Sequence, residues 1–224
     1  MKQILIWMLA LTVTTVAWGQ TTNTTSVTIN TAVPDNNQNG LATAFTLSGE
    51  SGPITSVNVS VDITGGFNGD LYAYLVGPNG GFAVLLNRSG VNSGSTYGYN
   101  NTGFQVTFSD TAAYDIHNYQ LHTPTYISGA LQGTWQPDGG NINPQSSPSS
   151  FPAAQTAMLS SFVGTDANGQ WVFFIADLSA GGQSTLNNIG VTVVTAPEPG
   201  TIAICGAGFL GLISAQRFLR KRKI

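Results

Sequence analysis

Apolar and polar residues alternate through most of the chain between its two ends. Val57, Val59, Val61 and Ile63 alternate with Asn58, Ser60 and Asp62, the period of two that marks a strand with one wet face. Residues 71–76 and 171–175 are apolar or aromatic on both faces, which predicts central strands. Residues 82–86 follow Gly77-Pro78-Asn79-Gly80-Gly81, a turn signal that makes them a hairpin partner of 71–76. Phe104, Val106 and Phe108 alternate again, and Ile189, Val191 and Val193 close the series. Weaker strands are predicted at 26–29 and 44–47. Residues 153–162 read as one short helix or an irregular turn, and 138–152, with Gly139, Gly140, Pro144, Pro148 and Pro152, as a flexible loop. Short strands joined by Gly- and Asn-rich turns predict an all-β fold, an antiparallel β-sandwich of the jelly-roll kind.

Both ends break the pattern. Lys2 precedes an apolar run over 4–16, and Ala17 and Gly19 place small residues at the −3 and −1 positions before Gln20. A signal peptide over 1–19 is expected, cleaved at that point. At the other end Pro197-Glu198-Pro199-Gly200 leads into an apolar run over 201–215, then Arg217, Arg220, Lys221, Arg222 and Lys223. The run is slightly shorter than the roughly 20 residues a bilayer core asks for, and the arginine stems can snorkel to cover the deficit. Gly206, Gly208 and Gly211 suit a membrane helix better than a soluble one. A helix over about 201–218 is expected, with its basic end in the cytoplasm and the body (20–195) outside the inner membrane. The order of motif, helix and basic end resembles the PEP-CTERM sorting signal of exported Gram-negative proteins. That resemblance implies processing by an exosortase at Pro197, Glu198, Pro199 and Gly200, transient anchoring in the inner membrane, and a place beside exopolysaccharide at the cell surface.

The body is long enough for one domain with a sizeable core. Its only basic residue is Arg88, against nine carboxylates: Asp35, Glu50, Asp62, Asp70, Asp110, Asp115, Asp138, Asp166 and Asp177. So acidic a surface repels phosphate backbones, which excludes nucleic acid as a partner. The one cysteine, Cys205, sits in the apolar tail, so the body has no disulfide.

Gly69-Asp70-Leu71 with Leu75, Gly77-Pro78-Asn79-Gly80, and a late block of Phe162, Gly164, Asn168-Gly169-Gln170-Trp171, Asp177 and Gly182 follow in a fixed order. Their spacing is similar to the P domain of proprotein convertases (P/Homo B). That resemblance implies a galactose-binding-like sandwich over about 32–194. The chain departs from the pattern at Gly65-Gly66-Phe67-Asn68, where P domains often carry a histidine, and over 89–150, which does not align.

No protease domain accompanies this module, and no Gly-x-Ser-x-Gly elbow or His-Glu-x-x-His pair is present. The body therefore reads as non-enzymatic, with adhesion or matrix association as its work. His117 and His122 read as exposed loop residues; with Asp110 and Asp115 they are the alternative, a hydrolase site of unrecognised type. Asp35, Asn37 and Asn39 before Gly40 match the first half of a calcium loop, though Thr46 stands where such a loop has its bidentate glutamate. Asp70 and Asp177 either cap loop amides or join a structural Ca2+. Tyr97, Tyr99 and Trp135, in Gly-rich surroundings, are candidate sugar-stacking residues of a carbohydrate-binding module; Tyr72 and Tyr74 are expected in the core and Trp171 as its anchor.

Overall fold

In the computed structural model, which describes residues 20–196, the inward row predicted at Val57, Val59, Val61 and Ile63 is buried on one strand, β3 (Ile54–Gly65). Of the intervening residues, Ser60 is exposed and Asn58 and Asp62 are half-buried. β3 lies in a six-stranded sheet whose order is β1 (Thr21–Ala32), β10 (Ser184–Thr195), β3, β6 (Phe104–Phe108), β8 (Ala130–Trp135) and β7 (Tyr126–Ile127). A four-stranded sheet runs β2 (Asn37–Leu47), β9 (Gly169–Asp177), β4 (Leu71–Val76) and β5 (Phe82–Asn87). One buried cluster takes side chains from both sheets, so the fold is an all-β sandwich.

Trp171 anchors that cluster as expected. It is fully buried, its indole Nε1 donates to the Ala167 carbonyl at 2.9 Å, and Phe162 packs against it at 4.9 Å between ring centroids. Phe173 and Ile175 continue the inward row of β9, and Leu71, Ala73 and Leu75 that of β4. The hairpin of β4 and β5 around Gly77–Gly81 forms as predicted.

Several expectations are corrected. The pairing is not antiparallel throughout: β6 and β8 run parallel, Phe104 opposite Leu131 and Phe108 opposite Trp135. Parallel neighbours need a long crossover, and the segment between them supplies one, built around a 3-10 turn over Ile116–His122. Residues 153–162 hold a four-residue 3-10 turn, Leu159–Phe162, within the alternatives expected there. Residues 138–152 do not hang free: Asp138 and Phe151 are buried, and Gly140 bridges to Gln155. Tyr72 and Tyr74 are not in the core. They lie half-buried on the outward face of the four-stranded sheet with Phe82 and Phe174, Tyr74 stacked on Phe174 at 4.7 Å.

Among the described residues no helix is long and apolar enough to cross a membrane. The expected signal peptide with Ala17 and Gly19, the motif at 197–200 and the apolar helix all lie outside the described residues; Gln20 is exposed at their edge.

Candidate binding cleft

The turn Asn68–Asp70 delivers the chain into β4 and fixes one end of the sandwich. Asn68 is fully buried and uses both ends of its amide: Nδ2 donates to the Gly103 carbonyl and the Tyr119 hydroxyl, and Oδ1 accepts from the Gly103 amide at 2.8 Å. The main chain alongside is paired too. Asn68 N donates to Asn101 O and Gly69 N to Tyr99 O, while Tyr99 N donates to Ser89 O, all at 2.8–2.9 Å. A side chain at Gly69 would strike the Tyr97 carbonyl and the Tyr99 amide, so this close approach requires glycine. Arg88, the body's only basic residue, donates from Nε to Gly69 O and from Nη2 to Thr96 O, tying the same two segments together.

What this bracing builds is a cleft of about 290 Å³. Phe67, Tyr97 and Tyr99 form its aromatic walls, Asp70 reaches its floor, and Ser179 closes the far side. Tyr97 is 75% exposed and Phe67 37%, whereas Asp70 is 5% exposed. Tyr99 is held by an edge-on contact with buried Tyr119 at 4.7 Å. Burial pushes the Asp70 carboxyl above the ordinary carboxylate value, against the pull of the Ser179 hydroxyl and of Arg88. Asp177 lies behind it, opposite Leu71 in the β4–β9 ladder, with Ser184 Oγ donating to its Oδ2 at 3.2 Å. Burial pushes Asp177 up to about 6, the charge on Asp70 adding to it.

Two of the three aromatic residues singled out from the sequence, Tyr97 and Tyr99, thus meet Asp70 in one place. Trp135 does not join them. It is 6% exposed on β8, its Nε1 donates to Gln132 O, and its ring faces Tyr119 in the core. Gly133 and the polar Gln132 and Thr134 hide that strand in the sequence, so Trp135 looks loop-borne there.

The calcium set comes together only in part. Asn37 sits opposite Asp177 at the start of β2, but its Oδ1 accepts from the Asn39 amide at 2.9 Å, a local turn, and Asp35 and Asn39 are exposed. Among the described residues no group of three or more His, Cys, Asp or Glu side chains is arranged to hold a metal ion.

His117 is the largest surprise. Expected in an exposed loop, it is 1% exposed, with Nδ1 2.7 Å from Asp138 Oδ2 and Nε2 2.9 Å from the Val91 carbonyl. Asp110 and Asp115 serve the backbone: Asp110 accepts from the Leu159 and Ser160 amides, Asp115 Oδ1 from the His117 amide. His122 stacks on Tyr114 at 3.8 Å. Sequence reasoning missed Asn68 and Asp138 altogether. The only signal for Asn68 is its place before Gly69-Asp70, and Asp138 lies twenty-one residues from its histidine partner.

No protein-family model matches this chain, and no curated protein matches it. Among solved structures it is similar to a serine protease of Aeromonas sobria, solved alone and in complex with a chaperone. Both show 14% identity and a TM-score of 0.42, over 79% and 80% of this chain respectively. This chain spans only 27% of the length of either.

Proposed function

We propose that this chain is an exported, non-catalytic module of the cell envelope or extracellular matrix, and that it binds exopolysaccharide or a surface glycan in the cleft. On this reading the body is a P-domain-like jelly roll of the galactose-binding type. The ends are routing devices, a signal peptide and a PEP-CTERM-like tail handled by an exosortase at 197–200. One observation carries the binding reading: exposed Tyr97 and Phe67 stand beside buried Asp70 in a walled cleft. Aromatic faces stack on the C–H faces of sugars, and a few polar groups then fix orientation. The acid–base groups of the body support a non-catalytic role, since His117, Asp110 and Asp115 are each engaged in holding the fold. A glycan array probed with the protein and its Tyr97→Ala variant tests the proposal: binding by the former and weakened binding by the latter are expected. Mass spectrometry of the mature C-terminus tests the routing, and a chain still ending in Ile224 at the cell surface would refute it.

A second reading rests on the outward strip of Tyr72, Tyr74, Phe82 and Phe174. An aromatic band on a sheet face suits adhesion to another protein of the matrix. Unchanged cell–cell or matrix adhesion in a Tyr72→Ser/Tyr74→Ser variant would remove it.

A further inference from the structure

The cleft is electrically one-sided. Its floor is the Asp70 carboxylate, its walls are aromatic rings, and small Gly98 and Ala180 line the rest. Among the described residues no guanidinium or ammonium forms an ion pair with Asp70. Arg88 is the only Lys or Arg in the body, and its Nε and Nη2 are committed to the Gly69 and Thr96 carbonyls at 3.4 and 3.2 Å. Behind the floor stands a second buried carboxylate, Asp177, whose neighbour Leu178 donates its amide to Asp70 O at 2.9 Å. Arg88 pulls on Asp70 from a distance and the Ser179 hydroxyl bonds it, but no cation pairs with it directly, and a nearly buried anion gains when an entering cation does so.

The chemistry of what would bring it is narrow. Sugar acids and phosphates are repelled by Asp70 and by the surplus of carboxylates over Arg88 in the body. A calcium ion asks for about six to eight oxygens, and Asp70 is the one carboxylate among the residues that line the cleft. An organic ammonium meets both surfaces at once. Its N–H groups make charge-assisted bonds to the carboxylate, and the faces of Tyr and Phe attract its charge.

Resting on the glycan reading of this cleft, we infer that its ligand is a glycan bearing free amines. The ammonium of a deacetylated amino sugar sits on Asp70, and the apolar face of its ring lies against Tyr97 and Phe67. Asp70 then selects the ligand and Tyr97 supplies contact area common to all sugars.

The test is calorimetric titration of the full chain, in detergent, with three β-1,4-linked hexasaccharides: of glucosamine, of N-acetylglucosamine and of glucose. The glucosamine oligomer is expected to bind about tenfold or more tighter than the other two. Asp70→Asn is expected to erase that preference, and Tyr97→Ala to weaken every oligomer that binds. Equal affinity for all three would overturn the amine inference and leave the glycan reading standing. Binding of none by the folded protein would overturn both. The comparison of the three sugars on the unaltered protein decides the matter even if Asp70→Asn does not fold.

Discussion

His117 Nδ1 lies 2.7 Å from Asp138 Oδ2 with both side chains buried, which makes the pair the inner clasp of the loops flanking β5. The other ring nitrogen faces the Val91 carbonyl, which can only accept. With Asp138 ionised both nitrogens donate, an arrangement that favours the imidazolium. Desolvation opposes this, but the hydrogen bond and charge of Asp138, the Val91 carbonyl and the charge of Asp115 together raise the His117 pKa. Phe151 lies parallel over the ring at 6.1 Å and helps to close the site.

Stability should fall as pH rises. Burial pushes Asp115 and Asp177 from 3.8 up to about 6, so across that interval the folded protein holds protons that the unfolded chain releases. Their contribution is fully present below 3.8 and is lost by about 6. His117, also raised, stabilises fully below the unfolded value of about 6.5, and that contribution is lost as pH rises through its folded value. All three act in one direction. Discounted for solvent screening, the two carboxyls amount to on the order of 3 kcal/mol between about pH 4 and pH 6, and His117 adds to the fall above its unfolded value. Differential scanning calorimetry should show the melting temperature falling by about 6–12 °C between about pH 4 and pH 6. A rise toward neutral pH would contradict this account of the buried groups.

Breaking the clasp should be expensive. His117→Gln leaves Asp138 buried without its cation, and a loss of about 3–5 kcal/mol in urea unfolding is expected. His122→Ala, which removes only a stacking contact on Tyr114, should cost less than about 1 kcal/mol. Equal costs would mean that the pair does not hold the loops.

Gly69→Ala separates cleft geometry from cleft chemistry. The new methyl group meets the backbone of Tyr97 and Tyr99, so a loss of about 1–3 kcal/mol and displacement of the aromatic wall are expected. Glycan binding should weaken although every ligand-facing side chain remains. Tyr97→Ala, at an exposed position, should weaken binding with stability unchanged within about 0.5 kcal/mol. Unaltered affinity in Gly69→Ala would show that the wall does not depend on this approach.

Trp171→Ala should cost about 3–5 kcal/mol, since it removes a fully buried indole that packs on Phe162 and bonds Ala167. Chemical denaturation measures it, and a cost below about 1 kcal/mol would deny Trp171 its role as anchor.

Alternation made much of the fold legible: the rows at Val57–Ile63, Phe104–Phe108 and Ile189–Val193 are strand faces because a period of two leaves no other arrangement. The hairpin around Gly77–Gly81 was legible from its turn residues. β8 was not, because Gln132, Gly133 and Thr134 dilute its pattern and the strand is completed by parallel pairing with β6, a tertiary fact. The same limit applies at the site. Tyr97 and Tyr99 stood out as aromatic residues among glycines, and Asp70 through its Gly69-Asp70 pair. That Trp135 turns inward and His117 finds Asp138 depends on contacts between distant segments, which periodicity does not record.

Nuclear magnetic resonance titration of the isotope-labelled protein with an oligosaccharide of the producing cell's own exopolysaccharide tests the central assignment most directly. Amide shifts should concentrate at Phe67, Asp70, Gly98 and Ser179, the residues that surround the cleft. Shifts confined to the Tyr72, Tyr74 and Phe174 face, or no shifts at saturating sugar, would contradict it.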